Sequence, residues 1–157
     1  MRSNETPYCP HCERALRAVG SRTRSVRRND GSLNKLIIRR LRCDHCKRIH
    51  HELPDEIVPF KRYSAKAIEE ILSSREEGTY PCEISTAARL RIWFSLLHEY
   101  FESALNALKY LYKQDEQFLE ELSSLIPLIP ARFSAGWLRR LVRILVNSGF
   151  WPQTRSA

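Results

Sequence analysis

Glycine is scarce in this chain, five in 157 residues, and the scarcity removes a class of functions. A nucleotide-binding loop needs closely spaced glycines to lay backbone N–H groups on phosphates, and the chain has little material for one. Aspartate is thinner still: Asp30, Asp44, Asp55 and Asp115 are the full set. Two-metal phosphoryl transfer requires three spaced acids. The first three aspartates lie on or beside a cysteine-bearing segment, and the glutamates fall mostly on the surfaces of expected helices. No Ser-His-Asp set or zinc-protease helix motif is present, so the chain reads as a non-enzyme without a small-molecule substrate. Long apolar runs are missing too, all falling far short of the ~20 residues that cross a bilayer. Met1–Pro10 is polar and lacks the apolar core of a secretory signal, so the expectation is a soluble, cytoplasmic protein. The cysteine count is five, an odd number, which speaks against a disulfide framework and for a reducing compartment.

What is present is concentrated at the front. Cys9-Pro-His-Cys12 and Cys43-Asp-His-Cys46 form two CxxC pairs with thirty residues between them. Four thiolates in two such pairs match a closed, tetrahedral, structural Zn²⁺ site. A filled tetrathiolate sphere leaves no position for water or substrate, so one structural ion is expected rather than catalytic zinc. His11 and His45 lie inside the pairs and are expected to face solvent. His50 and His51 follow closely enough to reach the metal, although four cysteines already complete the set.

The segment between the pairs must leave the metal and return. Leu16 to Arg28 has the alternation of extended chain, with Gly20 as a bend, and Asn29-Asp-Gly-Ser32 is a strong hairpin turn signal. Lys35 to Arg42 returns as a strand into Cys43, and Arg48 to Leu53 adds a short third strand. So few large apolar side chains in about fifty residues cannot offset chain entropy without a metal. Pro54 to Tyr63 looks like a linker. Beyond it Ser64 caps a helix through Arg75, and Glu76 to Glu83 breaks it. Ser85 or Thr86 caps a long aromatic-rich helix that reaches Tyr112 in one piece or bends near His98. A third helix spans about Glu116 to Ile126. Ser134 begins a fourth that carries Trp137 to Val146 and closes at Asn147-Ser-Gly149, and Pro152 to Ala157 form a loose tail. The fold class is therefore α+β: residues 1–58 form a zinc ribbon of three to four antiparallel strands, and 59–157 form a small all-α domain. Within that domain 64–95 is a candidate helix-turn-helix or a simple helical hairpin, and 96–150 is a helical packing or partner region. The aromatic helix is read as core, and the fourth helix as packing its apolar side on this domain or on another protein.

The run from Ile38 to Asp55, with Arg39-Arg-Leu-Arg-Cys43, Arg48 and His51-Glu-Leu-Pro-Asp55, leads into Val58-Pro-Phe-Lys-Arg-Tyr63. With the first CxxC pair it resembles a family of uncharacterised zinc-ribbon proteins encoded by bacterial mobile elements. It is also similar to the N-terminal ribbon of several insertion-sequence transposases. The resemblance covers roughly residues 8–95. It implies zinc binding through Cys9, Cys12, Cys43 and Cys46 and an association with transposition. Glu13 and Lys47 stand where such ribbons usually carry Gly, so each turn must accept a side chain at some cost.

Charge suggests the partner. Twelve Lys and Arg against two acids lie between Arg14 and Arg48. Residues 1–63 carry a net +8 from fifteen basic and seven acidic residues, whereas 64–157 are neutral with eleven of each. Such a half suits a polyanion, most simply nucleic acid. On the expected hairpin Arg22, Arg24, Arg27 and Arg28 face Arg39, Arg40 and Arg42. Like charges opposed across strands destabilise a sheet, which invites a phosphate backbone. Lys47 and Arg48 extend this set. In the candidate helix-turn-helix Arg89 and Arg91 would point toward a groove, although the connection from Arg75 to Ser85 is longer than the usual turn. The expectation is a DNA-binding accessory protein of a mobile element, nucleoid-associated, that reads DNA or recruits a separate transposase. Alternatives are an adaptor whose ribbon binds protein or RNA, and a truncated transposase relic.

Overall fold

A computed structural model describes residues 7–74, 82–127 and 135–152. Residues 76–81 of the break expected over Glu76 to Glu83, the Ser134 helix start, the tail 153–157 and the first six residues of the polar start lie outside the described residues. The chain builds a three-stranded antiparallel sheet followed, among the described residues, by four helices, so the fold is α+β. The strands are β1 (Leu16–Arg27), β2 (Leu33–Cys43) and β3 (Ile49–His51), in the order β1-β2-β3. The helices are α1 (Ala65–Ser73), α2 (Ile84–Leu111), α3 (Glu116–Leu125) and α4 (Trp137–Asn147).

The turn between β1 and β2 forms where expected. Gly31 takes φ of 82°, and the Ser32 N–H donates to Asp30 Oδ1 at 2.8 Å. Gly20 marks a β-bulge rather than a bend. The pairing slips by one residue between Ala18 and Gly20, and this slip decides which face every later β1 side chain occupies. Leu16 and Ala18 pair with Cys43 and Leu41, but beyond the bulge Arg22 pairs with Ile38, Arg24 with Leu36 and Arg27 with Leu33. The expected confrontation of arginines across the hairpin is therefore incorrect. Arg39 lies opposite Ser21 and Arg40 opposite Gly20, and the one Arg–Arg pair is Arg17 with Arg42. That pair is relieved by Asp44, which Arg17 Nε approaches at 3.3 Å.

The stretch from Pro54 to Tyr63 is no linker. Ile57 and Val58 are both fully buried, Ile57 with Val26 and Ile38 of the hairpin and Val58 in the helical core. The Arg27 N–H donates to Arg62 O at 2.8 Å and the Ser64 N–H donates to Arg27 O at 2.9 Å, so the segment runs alongside β1 as an extra bridge. Arg24 adds two bonds, from Nη2 to Lys61 O at 2.6 Å and to Val58 O at 3.3 Å. The sheet is thus fastened to the helical half by backbone and side chain together.

Ser64 caps α1 as its sequence suggests, its hydroxyl accepting from the Ala67 N–H at 3.2 Å. α2 begins two to three residues earlier than expected, with Glu83 as its N-cap in place of Ser85 or Thr86 and no side-chain capping bond, and it runs unbroken for 28 residues. Phe94, Phe101, Leu105 and Leu108 of α2 pack with Ile68 and Ile71 of α1, Leu122 of α3 and Trp137, Leu138 and Leu141 of α4. The aromatic helix is core along this side. The apolar side of α4 packs on this domain, and its Arg140 and Arg143 reach Glu121 of α3.

One glutamate departs from the expected surface pattern. Glu69, 7% exposed, points from α1 to the start of α4. Its carboxylate accepts the Gly136 N–H at 2.9 Å and the Leu138 N–H at 2.7 Å. A carboxylate at a helix N-terminus satisfies orphan donors and meets the positive end of the helix dipole. Gly136, at φ of 82°, supplies the left-handed residue that turns the chain into the helix, a conformation glycine adopts without a Cβ clash. Replacing Glu69 with Ala would leave the buried Leu138 amide and the part-buried Gly136 amide without an acceptor. We expect Glu69→Ala to lower the stability of the helical half by about 2 kcal/mol or more. Denaturant unfolding followed by tryptophan fluorescence measures this; a midpoint unchanged from wild type would show that the cap contributes nothing.

Candidate metal centre

The two CxxC pairs come together at one end of the sheet. Cys43 ends β2, and the first pair sits just before β1, so β-pairing of Leu16 with Cys43 brings both pairs to the same place. The ligand sulfurs of Cys9, Cys12, Cys43 and Cys46 all lie within 4.8 Å of one another. Cys9 and Cys46 sulfurs are 3.6 Å apart and those of Cys12 and Cys43 are 3.4 Å apart. Both separations exceed the ~2.05 Å of a disulfide, and all five cysteines are free. Sulfurs ~2.3 Å from a tetrahedral metal lie about 3.8 Å from each other, so the cluster is already close to the size a metal requires. The donor set fits a structural metal ion.

Each pair is shaped by a tight backbone turn. The Glu13 N–H donates to Cys9 O at 2.8 Å, the Cys9 N–H to Arg14 O at 2.9 Å, and the Cys43 N–H to Arg48 O at 3.0 Å. Both turns close through a left-handed residue, Glu13 at φ of 56° and Lys47 at φ of 61°. These are the two positions where the family resemblance led us to expect Gly, and the turn forms with a side chain instead. Lys47 offsets part of its cost by donating from Nζ to Asp44 O.

The electrostatics favour thiolate unequally. The Cys46 N–H, which reaches the Cys43 sulfur at 3.5 Å, holds the Cys43 thiol down at about 6; burial opposes this, and Cys12 and the His45 amide help. Cys12 goes the other way. The Arg14 amide favours its thiolate, but desolvation and the neighbouring Cys43 and Cys9 sulfurs together push it up to about 11. Four thiolates this close repel strongly, and a divalent cation removes that conflict by binding all four.

His50 is more involved than its place in the sequence implied. It is not one of the four sulfur donors, yet its Nε2 lies 3.5 Å from Cys9 Sγ. His11 is exposed, with Nε2 2.7 Å from Arg48 Nη1 and its ring 5.9 Å from that of His50. Hydrogen-bond partners around metal-binding side chains fix their orientation. Its closeness to the second CxxC pair was the signal in the sequence, and the structure supplies the reason: His50 pairs with Leu41 on the face that carries Cys43, two residues along.

The basic residues distribute over both faces. Arg39 bonds Glu52 through two nitrogens, the second at 2.7 Å, and this bond holds the Glu52 carboxyl below its usual range against the effect of burial. Arg28 lies 3.9 Å from Glu56, Arg27 leans on Gly31 O, and Arg24 is held by the carbonyls named above. Arg48 is engaged with His11, and Lys47 with its own turn. Arg89 bonds only to its own helical turn through Ser85 O and Thr86 Oγ1. Arg91 turns back onto α1, donating to Ile71 O at 3.3 Å and Ser74 O at 3.2 Å, so it ties the two helices together. Three of the set remain. Arg22, Arg40 and Arg42 make no hydrogen bond or ion pair among the described residues, and all three share one sheet face with His51, which pairs with Arg40. This face is the one opposite Cys43 and Leu41. His51 is held below its ordinary value by burial first, then by Arg22, Arg40 and Arg24.

Fold and site together define a protein in which a β-sheet ending in four clustered cysteines, placed to hold a metal ion, is joined to a helical half. The chain belongs to the family described as Domain of unknown function (DUF6431), whose family model matches residues 9–90, from the first metal-site cysteine into α2. No curated protein and no solved structure matches the chain. No helix among the described residues is long and apolar enough to cross a membrane.

Two outcomes test the site. Relieving a left-handed side chain gains roughly 1 kcal/mol, and we expect Glu13→Gly to bind metal more tightly by about that amount in chelator competition. Lys47→Gly should gain less, because it also loses the bond to Asp44 O; equal or weaker binding by Glu13→Gly would show that the turn carries no strain. Removing the metal with a chelator should abolish amide-exchange protection across β1 and β2 while the helical circular dichroism largely persists. Retained protection in the sheet would show that the metal is not what holds it.

Proposed function

We propose that this protein is a zinc-dependent DNA-binding accessory factor, that its sheet is the DNA-contacting element, and that it acts by binding rather than by catalysis. The observation that carries the reading is the unpaired trio Arg22, Arg40 and Arg42 on one face of the sheet, with His51 among them. Guanidinium groups left without carboxylate partners repel one another, and a phosphate backbone is the ligand that neutralises them with bidentate geometry. A metal-pinned sheet holds them at fixed spacing before the partner arrives, so little ordering entropy opposes binding. Zn²⁺ is the metal proposed, since four thiolates in a closed set are its usual structural environment. The association with a mobile element, nucleoid localisation and recruitment of a separate transposase rest on the sequence resemblance of residues 8–95.

The helical half enters this reading as support. With Arg91 bonded to α1, the α1–α2 pair offers Arg89 alone of the two arginines expected to enter a groove. The contact surface is therefore assigned to the sheet, not to a helix-turn-helix.

Phosphate contacts release counterions, so log K falls with log salt at a slope of about −0.9 per contact. Binding of the zinc-loaded protein to duplex DNA should weaken steeply with salt. Arg22→Ala, Arg40→Ala and Arg42→Ala combined should reduce that slope by about 2 to 3. Arg39→Ala, on the opposite face and paired with Glu52, should change it little. A salt-independent affinity, or an Arg39→Ala variant that loses as much as the triple variant, would overturn the assignment of this face and favour a protein-binding ribbon.

A further inference from the structure

His51 is an exposed titratable group set among cations. It pairs with Arg40 across β3 and β2, and the row continues to Gly20 on β1, which has no side chain to cover either of them. Arg42 lies one step along this face on one side of the row, and Arg22, paired with Ile38, lies one step along on the other. Directly opposed residues in an antiparallel pair stand ~5 Å apart at Cβ, and next-but-one residues along a strand ~7 Å apart. A phosphate held by Arg40 is therefore within one side-chain length of His51.

The charges that act on His51 carry one sign. Arg22 and Arg24 approach from β1 and Arg40 from β2, and no carboxylate is among them. The acids around this face are engaged elsewhere: Glu52 bonds Arg39 on the other face, Asp44 at the metal end pairs with Arg17, and Glu56 lies 3.9 Å from Arg28. Glu56 and Lys61 belong to the segment packed over the far end of the face, where the Lys61 ammonium lies on the Trp93 ring. The neighbouring imidazole, His50, turns to Cys9 instead. We infer that His51 is a fourth phosphate contact of this face and makes it as an imidazolium, so that the protein takes up a proton when it binds DNA. The inference rests on the DNA reading proposed above and adds a pH dependence to it. In the free protein a proton on His51 joins three guanidiniums, and burial and those charges keep the ring neutral near pH 7. A phosphate on Arg40 reverses the local sign and favours the charged ring, which donates from both nitrogens. The ring's pKa is thus lower in the free protein than in the complex. By linkage, affinity for DNA rises as pH falls between those two values and is level outside them.

The test is binding of the full zinc-loaded chain to random-sequence duplex DNA between about pH 6 and 8, the range in which histidine changes charge. Zinc content is assayed at each pH, because thiolate ligands release metal in acid. Binding should tighten by up to about tenfold per unit of acidification, the limit for uptake of one proton. The salt slope should steepen by about 0.9 from the alkaline to the acid end, as one further contact forms. His51→Gln should lose both effects and bind at every pH as the wild type does at the alkaline end. His51→Lys, charged throughout, should bind tightly at every pH without a slope. His45→Gln, exposed in the second cysteine turn and outside the sheet, should behave as the wild type. Wild-type binding that weakens with salt but ignores pH, or a pH slope that survives His51→Gln, would overturn the inference and leave the DNA reading standing. A chain that binds no duplex at any pH would overturn the DNA reading and the inference with it.

Discussion

Four sulfurs brought within bonding range of one cation are the constraint on which the sheet depends. The apolar material on the hairpin is small: Val26, Ile38 and Ile57 are buried together, with Leu36 and Leu53 partly so. A cluster of that size cannot offset the entropy of fixing two long strands. A metal ion held by the four sulfurs would add a cross-link between residues far apart in sequence, and β-pairing of Leu16 with Cys43 would carry that cross-link into the ladder. Everything the sheet presents to solvent, including its unpaired arginines, inherits its geometry from this point.

The helical half is stabilised differently. Its core is aromatic and continuous, with Phe94 and Trp137 at 5.2 Å between ring centres and Phe101 stacked on Trp151 at 5.4 Å. Polar groups inside it are few and specific. The Glu69 carboxylate fastens α4 to α1, and the Lys61 ammonium lies 4.5 Å from the centre of the Trp93 ring, where a cation gains from the ring face. Burial lowers the Lys61 pKa, the direction expected when an ammonium leaves water.

Much of this was legible in the sequence, and the parts that were not share a cause. The cysteine pairs, the Asp30-Gly31 turn, the Ser64 cap, the limits of α3 and the end of α4 are local signals, each contained in a few neighbouring residues. The partner of Arg22 is not local. One bulged residue near Gly20 shifts the register, and with a side-chain period of two that shift exchanges faces for all of the strand beyond it. Periodicity alone cannot show on which side of the bulge the count changes. Glu69 was hidden for a related reason, because the amides that donate to it lie 67 and 69 residues away and nothing beside it announces them. The Pro54–Tyr63 stretch misled through its prolines, which mark irregular backbone but say nothing about burial.

Ile57 and Val58 are adjacent in the chain and buried in different clusters. Because neighbouring side chains on extended chain point to opposite sides, this one peptide serves as the wall between the two halves. Adding or deleting a single residue between Pro54 and Ser64 would turn each side chain into the wrong cluster. The halves therefore cannot be exchanged with other ribbons or other helical domains at this boundary, as parts joined by a tether can.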